Sequence, residues 1–460
     1  MKTFSSEPVA GARRLDEAEP RSGEGGAAAE ARTSEEVASR RYSHYVLVVL
    51  FLVYVLNFID RQILSILVEP IKRDLGISDT QIGFLTGVAF ALFYTFAGIP
   101  IARWADRGKR INVITFGLTV WSAMTALCGL ARGFVHLALA RIGVGIGEAA
   151  FVAPAHSLIS DYYPPERRAT AFAVFSMGIY VGIAFGFALG GWIAQQFGWR
   201  VALMAVGLPG LLMAVLLRLT IREPARGASE TQRLDDRVES LAEVRAFLRR
   251  IPSFKHIALG AALHALGGYA FAAWAPAFYI RVYQAELAKV GLWLGLIIGL
   301  GGALGAVGGG MLADRLGARD LRWQVYLPAL ASLLSIPFLF GILFAPGETA
   351  SLLWLIPFAA LAGVWSGPVF AVVQGLVKLR MRALAAAILA FVVSLIGLGL
   401  GPLSVGVLND SLAAGQGNQA VRWSLLIIVV TDLWAAGHFF LAGRTLKRDW
   451  EVKNETEGRS

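Results

Sequence analysis

The sequence has little of what disulfide-bonded proteins, thiolate metal sites and soluble domains require. Cys128 is the only cysteine in 460 residues and lies in an apolar run, so a disulfide framework and a cysteine metal site are both excluded. Charged residues make up 16% of the chain, below the roughly 25% of an average soluble domain, while 56% of the residues are hydrophobic. A large soluble domain has no room in such a chain.

Acidic residues are also fewer than basic ones, which gives a formal net charge of +10. The Lys and Arg residues lie in short loops between apolar runs and form no separate basic domain, so we expect no nucleic-acid partner. We expect a lipid bilayer as the surroundings, because a membrane core needs about 20 apolar residues per helix and such runs recur along the chain.

Twelve apolar segments predict an all-α membrane protein with twelve transmembrane helices in two pseudo-symmetric six-helix bundles. The expected segments are 44–67, 80–102, 110–131, 134–159, 168–196, 200–221, 255–281, 289–313, 323–344, 351–376, 383–408 and 422–444.

The predicted domains follow from these segments. Residues 1–41 are rich in Ala, Gly, Glu and Ser and predict a disordered tail. An N-terminal bundle covers 42–221 and a C-terminal bundle covers 255–444. The linker 222–254 has a pattern typical of a short amphipathic surface helix, and 445–460 forms a second tail.

Basic residues concentrate in alternate loops, namely Arg103, Arg107, Lys109 and Arg110; Arg167 and Arg168; the linker; Arg315, Arg319 and Arg322; and Lys378, Arg380 and Arg382. The positive-inside rule places these loops and both termini in the cytoplasm. We expect a monomer in the bacterial inner membrane.

The two halves share a loop motif. Residues 102–110 read Ala-Arg-Trp-Ala-Asp-Arg-Gly-Lys-Arg and follow the second segment, and residues 310–319 read Gly-Met-Leu-Ala-Asp-Arg-Leu-Gly-Ala-Arg and follow the eighth. The spacing of roughly 210 residues is typical of a parallel repeat. The second copy resembles the cytoplasmic loop signature of the major facilitator superfamily. The first copy departs from that signature in two ways: it has Ala102 in place of Gly, and one residue fewer between Asp106 and the final basic pair.

Charges in these loops are candidates for a gate, because an acid at a helix end facing basic residues can hold the inner mouth shut and release it. The predicted gating residues are Asp106, Arg107, Asp314 and Arg315, with Asp161 and Arg167 as a second latch. The alternative is ordinary solvated loop charge.

Charges inside membrane helices are costly and indicate function. Asp60 and Arg61 lie in the first segment, and Arg141 and Glu148 lie in the fourth, which runs in the opposite direction. At about 1.5 Å per residue Asp60 and Arg141 reach a similar depth, and Arg141 and Glu148 share one helix face. We therefore expect the four charges, with Asn57, in one cavity.

The carboxylates and the arginines of this group are expected to have different roles. A buried carboxylate can exchange a proton, whereas Arg remains charged and grips phosphate or carboxylate through its planar fork. Asp60 and Glu148 are predicted to couple transport to protons, and Arg61, Arg141 and Asn57 to bind substrate. The energy source would be a proton gradient, with no cofactor and no metal. A permanent ion-pair lock between the two helices is the structural alternative.

Three motifs resemble the bacterial branch of the Spinster family: Asn57-Phe-Ile-Asp-Arg61, Gly145-Ile-Gly-Glu-Ala149 and Ser157-Leu-Ile-Ser-Asp-Tyr-Tyr-Pro164. The resemblance implies an alternating-access transporter of an amphipathic, phosphate-bearing substrate of the lysolipid or sphingoid phosphate class, with Asp60, Arg61, Arg141 and Glu148 at the family's charged positions.

The second half supplies aromatic residues and, on this interpretation, no acid comparable to those of the first half. His264, Tyr269, Trp274 and Trp365 are candidates for a wall that suits an acyl chain, although packing explains any one of them equally well.

Two further functions stay open. A proton-coupled symporter of a small organic anion such as a sugar acid has a similar first half, and a non-transporting sensor is the alternative from another class. An enzyme is disfavoured, because no nucleophile and base stand in a suitable arrangement.

Overall fold

The computed structural model describes residues 24–225 and 241–457, and all regular structure in those ranges is helical. The twelve membrane-spanning helices, α1 to α12 in chain order, are Glu24–Ile66, Asp79–Arg107, Arg110–Cys128, Phe134–Tyr162, Pro165–Phe197, Trp199–Thr220, Pro252–Tyr283, Leu287–Gly317, Trp323–Phe344, Glu348–Leu376, 382–416 and Ala420–Glu457.

Helices α11 and α12 belong to one helical stretch, Arg382–Lys453, which is the last of eleven stretches long and apolar enough to cross a membrane. A short turn at Gly417–Gln419 divides it, and Gly417 has φ +51°, a value that favours glycine. The count of twelve helices and the all-α fold class predicted from the sequence are therefore confirmed.

The ends of the chain differ from the sequence-based expectation. Helix α1 begins at Glu24 and α12 continues to Glu457, so residues 24–41, for which a disordered tail is expected from the sequence, are helical in the structure, where Ala and Glu favour helix. Residues 1–23 lie outside the described part of the chain. Within the linker, a helix spans Leu241–Leu248 and buries Val244 and Phe247.

Several helices that line the centre of the molecule are interrupted near their middle. Helix α2 breaks at Gly87, α4 after Glu148, α10 at Val364–Trp365, and α11 passes through a π-helical segment at Val393–Leu400. Irregular backbone at membrane depth is tolerated only where protein or an internal cavity surrounds it. The breaks therefore mark the polar centre of the protein.

The two bundles meet at one end of the molecule. We call the end with the α1–α2, α7–α8 and α11–α12 connections the far face, and the end with the linker the linker face. Glycines allow close contact in the far half, where Gly83 of α2 approaches the backbone of Pro402, and Gly295 of α8 approaches the backbone of Ala184. Towards the linker face, Gly98 and Gly308 have open space around them. The structure is closed on the far face.

Candidate functional site

Two pairs of opposite charges lie between α1 and α4. The Nε of Arg61 donates a hydrogen bond of 2.6 Å to Oε2 of Glu148, and Nη1 of Arg141 lies 3.6 Å from Oδ1 of Asp60. The four charges that sequence reasoning expected to meet are therefore adjacent. Each carboxylate comes from one helix and its arginine from the other, so these pairs link α1 to α4.

The hydrogen bonds of this cluster are incomplete. Thr125 donates to Oδ2 of Asp60, but Oδ1 of Asp60 and Oε1 of Glu148 are buried without a hydrogen-bond partner among the described residues. At 3.6 Å, Arg141 is too far from Asp60 for a hydrogen bond. Unpaired buried polar atoms are costly, so the cluster has acceptor positions that a proton or another donor can fill.

Aromatic rings surround the Arg61 guanidinium. Its Cζ lies 5.1 Å from the ring centre of Phe58, 5.0 Å from that of Phe90 and 4.8 Å from that of Tyr94. Such rings stabilise a cation that has left bulk water. Arg61 retains 16% exposure of its side chain, against 4% for Arg141, so Arg61 is the guanidinium that a solute reaches.

A cavity of about 330 Å³ lies beside this cluster and between the two bundles. Arg61 and Arg141 line it from α1 and α4. The opposite wall comes from α7 and α10 and is largely apolar, with Phe271 and Phe358 packed at 4.8 Å between ring centres. One wall is cationic and the other is aromatic.

The predicted substrate-binding residues separate into two groups. His264, Tyr269 and Trp365 line the cavity with Arg61 and Arg141. Trp274 is fully buried outside it, where its indole N–H donates to the carbonyl oxygen of Pro402 at 2.9 Å, so the expectation that it forms part of the wall is wrong. Asn57 is also fully buried, behind the cavity surface.

The C-terminal bundle contains a buried acid that the sequence analysis overlooked. Asp432 of α12 is 7% exposed, and its Oδ1 lies 2.9 Å from Nδ1 of His264. The expectation that the second half lacks an acid comparable to Asp60 is therefore wrong. An aspartate within an apolar run was the available signal.

The charges predicted to gate the linker face are apart from one another. Asp106, Arg107, Asp314 and Arg315 are exposed, and none forms an ion pair with another residue in 24–225 or 241–457. This arrangement agrees with a structure open on that face, because a latch is released when its gate opens.

The proposed second latch is arranged differently from the expectation. Asp161 accepts a hydrogen bond from Arg110, which also donates to Glu223 at 2.7 Å and to Ser157 at 2.8 Å. Arg167 is exposed. Arg110 joins α3, α4 and the start of the linker, so the ion pair of Asp161 lies within the N-terminal bundle.

A second charge network, also missed from the sequence, holds the far face together. Arg281 at the end of α7 donates to Glu69 at 2.6 Å and to Asp79 at 2.9 Å. The carboxylate of Asp410 in α11 accepts hydrogen bonds from the backbone N–H groups of Asp79 and Thr80 at 3.1 and 2.8 Å. The sequence shows these residues only as loop charges. Their pairing depends on how the bundles meet.

Asp74, also on the far face, is exposed to solvent, unlike the buried Asp60 and Glu148. Its hydrogen bond from Arg200 holds the pKa of the Asp74 carboxyl below its usual range. It therefore stays ionised near neutral pH. Asp74 is therefore a suitable control position when the buried acids Asp60 and Glu148 are substituted.

The two bundles with a central cavity between them define the architecture of a membrane transporter. The chain belongs to the Major Facilitator Superfamily, whose family model matches residues 50–441. The superfamily consists of transporters and is generally non-enzymatic.

Relatives within that superfamily are more specific. The chain is 35% identical over 404 residues to an MFS-type efflux pump of Mycolicibacterium smegmatis, covering 87% of this chain and 92% of the relative. A solved bacterial homolog of the human lysosomal transporter Spinster, in an inward-facing and unoccupied conformation, superimposes with a TM-score of 0.82 at 32% identity, covering 89% of this chain and 98% of the homolog. The Spinster-like resemblance is therefore confirmed. A hexuronate transporter of Bacillus subtilis is 32% identical over 181 residues, which cover 39% of this chain and 42% of the relative.

Proposed function

We propose that this protein is a proton-coupled, alternating-access transporter of an amphipathic anionic substrate of the lysolipid or sphingoid phosphate class. The observation that carries the proposal is the division of the cavity, with Arg61 on one wall and Phe271, Phe358 and Trp365 on the other. An anionic headgroup fits the first wall and an acyl chain fits the second.

Headgroup binding rests on Arg61. Its Nε is occupied by Glu148, whereas no described residue forms a hydrogen bond with its Nη1 or Nη2. Guanidinium binds phosphate through two parallel N–H donors, and such charge-assisted bonds are shorter and stronger than neutral ones. The aromatic rings around Arg61 hold the fork in place and leave one side open to the cavity.

Proton coupling follows from competition for the arginines. When Glu148 takes a proton it no longer binds Arg61 as an anion, and Arg61 becomes free to bind the substrate anion. Asp60 has the same relation to Arg141 but a longer contact and an unpaired oxygen, which gives an arriving proton a place to bind. Release of the substrate lets each carboxylate lose its proton and pair again.

Alternating access completes the cycle. The far face is closed by contacts between the bundles. The positive-inside rule, applied to the basic loops, supports a cytoplasmic position in a bacterium for the linker face and both termini. The state described is then inward-facing, with the cavity open to the cytoplasm. The solved homolog with the TM-score of 0.82 supports this assignment through its own inward-facing conformation.

A small organic anion such as a sugar acid is the second candidate, and the similarity to the hexuronate transporter favours it. Such a solute carries hydroxyl groups along its whole length and requires donors and acceptors from both walls. The wall from α7 and α10 offers mainly aromatic and alanine side chains, which suits a hydrocarbon chain better.

Counterflow into liposomes that contain the purified protein tests the proposal. Lysophosphatidylglycerol, sphingosine 1-phosphate and glucuronate are compared as substrates, each with and without an imposed pH gradient. The proposal expects exchange of the lipid-like anions, accelerated by the gradient. Exchange of glucuronate alone would favour the sugar-acid symporter, and exchange unaffected by the gradient would remove proton coupling.

A further inference from the structure

A buried polar cluster in the C-terminal bundle is not used by the mechanism above. Nδ1 of His264 in α7 lies 2.9 Å from Oδ1 of Asp432 in α12 and 2.9 Å from Oγ of Ser332 in α9. All three residues are buried, with exposures of 4%, 7% and 0%. His264 lies about 18 Å along α7 from Pro252, near the middle of the membrane.

The hydrogen bonds determine which ring nitrogen carries a proton. The hydroxyl of Ser332 donates to the carbonyl oxygen of Pro328 at 3.0 Å, so its oxygen faces the ring as an acceptor. The carboxylate of Asp432 is an acceptor too. Nδ1 therefore carries the hydrogen, and the neutral ring has its lone pair on Nε2.

The Nε2 atom is available to a proton from the cavity. His264 lines the cavity, and in the part of the chain that the structure describes no residue forms a hydrogen bond with Nε2. Water that enters the cavity can therefore reach this nitrogen directly. The ring connects the cavity on one side to the carboxylate of Asp432 on the other.

The charges around the ring differ from those in the N-terminal bundle. Asp60 and Glu148 each pair with an arginine, which remains charged, whereas the partner of Asp432 is a histidine, a side chain that can gain and lose a proton. With a neutral ring the pair has a net charge of −1, and after proton binding it is neutral overall. A neutral pair is far less costly to bury.

No other charged group competes for this histidine among the described contacts. The neighbours are Ser332 from α9, Trp365 from α10 with ring centres 5.9 Å apart, and Asp432 from α12, while α11 places no titratable side chain in contact with the ring. Arg61 and Arg141 line the same cavity from the other bundle. The His256–His438 pair lies about 12 Å nearer the linker face along α7.

We propose that His264 and Asp432 form a second proton-binding site, located in the C-terminal bundle and separate from Asp60 and Glu148. A proton moves from cavity water to Nε2 and gives an imidazolium paired with the Asp432 carboxylate. The inference rests on the proposed function in one respect, that transport is driven by protons. It then follows that each bundle carries its own proton through the cycle.

Proton binding can be measured without transport. Histidine labelled with ¹⁵N reports the protonation of each ring by NMR in nanodiscs, and His264→Gln identifies the signal of His264. Lowering the pH should add a proton at Nε2 of His264, and in Asp432→Asn the protonated fraction at the same pH should be smaller, because the amide does not stabilise the imidazolium. A His264 signal that does not respond to pH, or a response that is the same in Asp432→Asn, would overturn the proposal.

Coupling is measured as protons moved per substrate in liposomes. His264→Gln keeps an N–H donor for Asp432 but cannot be protonated, so the ratio should be lower by one proton than in the natural protein. His256→Gln, in the same helix, is the matched control and should keep the original ratio. An unchanged ratio in His264→Gln would refute the second site and leave proton coupling intact.

The two hypotheses fail in different ways. Should the natural protein move no protons with its substrate, the proposed function is wrong, and the NMR titration still decides whether His264 binds a proton. Should His264→Gln fail to fold, Asp432→Asn decides the inference alone, because a set of histidine signals that responds to pH as in the natural protein would overturn the proposal.

Discussion

Arg61 performs two tasks at once, since it neutralises Glu148 and faces the cavity. Arg61→Ala would remove both functions at once, because it also leaves Glu148 as an unpaired buried carboxylate, which costs about 3–5 kcal/mol of stability. Arg61→Lys keeps the positive charge and loses the planar fork, so it isolates recognition of the anion.

We expect Arg61→Lys to weaken binding of a lysophospholipid phosphate roughly tenfold or more, the equivalent of about 1.5–3 kcal/mol for a charge-assisted hydrogen bond. Unfolding temperature should change little. Binding to the purified protein by calorimetry is the measurement, with Arg200→Lys on the exposed far face as the control. Equal affinity in both variants would show that Arg61 does not hold the headgroup.

The residues of the site differ in how far the sequence reveals them. Depths of Asp60 and Arg141 follow from helix direction and a fixed rise per residue, so their meeting was predictable. Asp432 was visible as an acid in an apolar run, but its contact with His264 depends on the rotation of α7 and α12 about their axes. The position of Trp274 outside the cavity depends on the same rotation. No spacing rule within one helix supplies that angle.

At the scale of helices, glycines serve two different contacts. On α5, Gly178 and Gly182 pack against α1 within the N-terminal bundle. On α8, Gly291 and Gly295 pack against α5 across the two bundles. Both stripes look alike in the sequence, since small residues at intervals of four do not specify which neighbour they meet.

Gly295→Ala should open the far face. A Cβ at this position would overlap the carbonyl oxygen of Ala184, whereas Gly308 on the same helix has no atom within 4 Å of such a Cβ. Spin labels at Arg132 and Gln284, in connections of the two bundles on the far face, report the separation by pulsed electron resonance. The long-distance population should grow in Gly295→Ala and stay unchanged in Gly308→Ala. The same distribution in both variants would mean that this contact does not control closure.

At the scale of the whole molecule, closure of the far face depends on ion pairs between the bundles. Arg281 is 10% exposed and bonds to Glu69 and Asp79 across the interface. Arg281→Gln leaves the buried Glu69 without its cation, whereas Asp79 keeps Lys72 as an ionic partner within the N-terminal bundle. Loss of the cation from Glu69 costs about 3–5 kcal/mol in this conformation alone. The protein should therefore move towards the state open on the far face.

The spin labels at Arg132 and Gln284 measure this shift as well. Lys289→Gln is the matched control, because Lys289 pairs with Glu348 at 2.8 Å within one bundle. Arg281→Gln should increase the long-distance population and Lys289→Gln should not. A distance distribution unaffected by Arg281→Gln would leave the network with a structural role only.

The linker face should respond in the opposite direction. Asp106 and Asp314 are exposed in the state described, so Asp106→Asn or Asp314→Asn leaves this state unaltered and weakens the one closed on the linker face. Labels at Lys109 and Arg319 should lose their short-distance population, and turnover should slow more than binding weakens. An unchanged short-distance population in both variants would show that these loops do not form a gate.

The fold at this scale was the most predictable part of the molecule. Apolar runs, alternating basic loops and the repeated Asp-Arg motif each depend on local sequence, and together they gave twelve helices in two halves. Which face is closed could not be predicted, because closure depends on contacts between residues that are distant in the sequence. Arg281 and Asp79, for example, are 202 positions apart and form a pair in the state described.

Proton flux through the Asp60 and Glu148 variants tests the central claim most directly. Liposomes with a pH-sensitive dye inside receive a gradient of lysophospholipid, and internal acidification or alkalinisation is followed with time. We predict substrate-linked proton movement in the natural protein and in the control variant Asp74→Asn. Asp74 itself lies outside the cavity and stays ionised, so its loss should not affect proton movement. We predict fewer protons moved per substrate in Asp60→Asn and in Glu148→Gln, because an amide cannot exchange a proton, while both variants still bind the lipid. Normal proton movement in both variants, with lost stability as their only defect, would contradict the account and identify the two pairs as a permanent lock between α1 and α4.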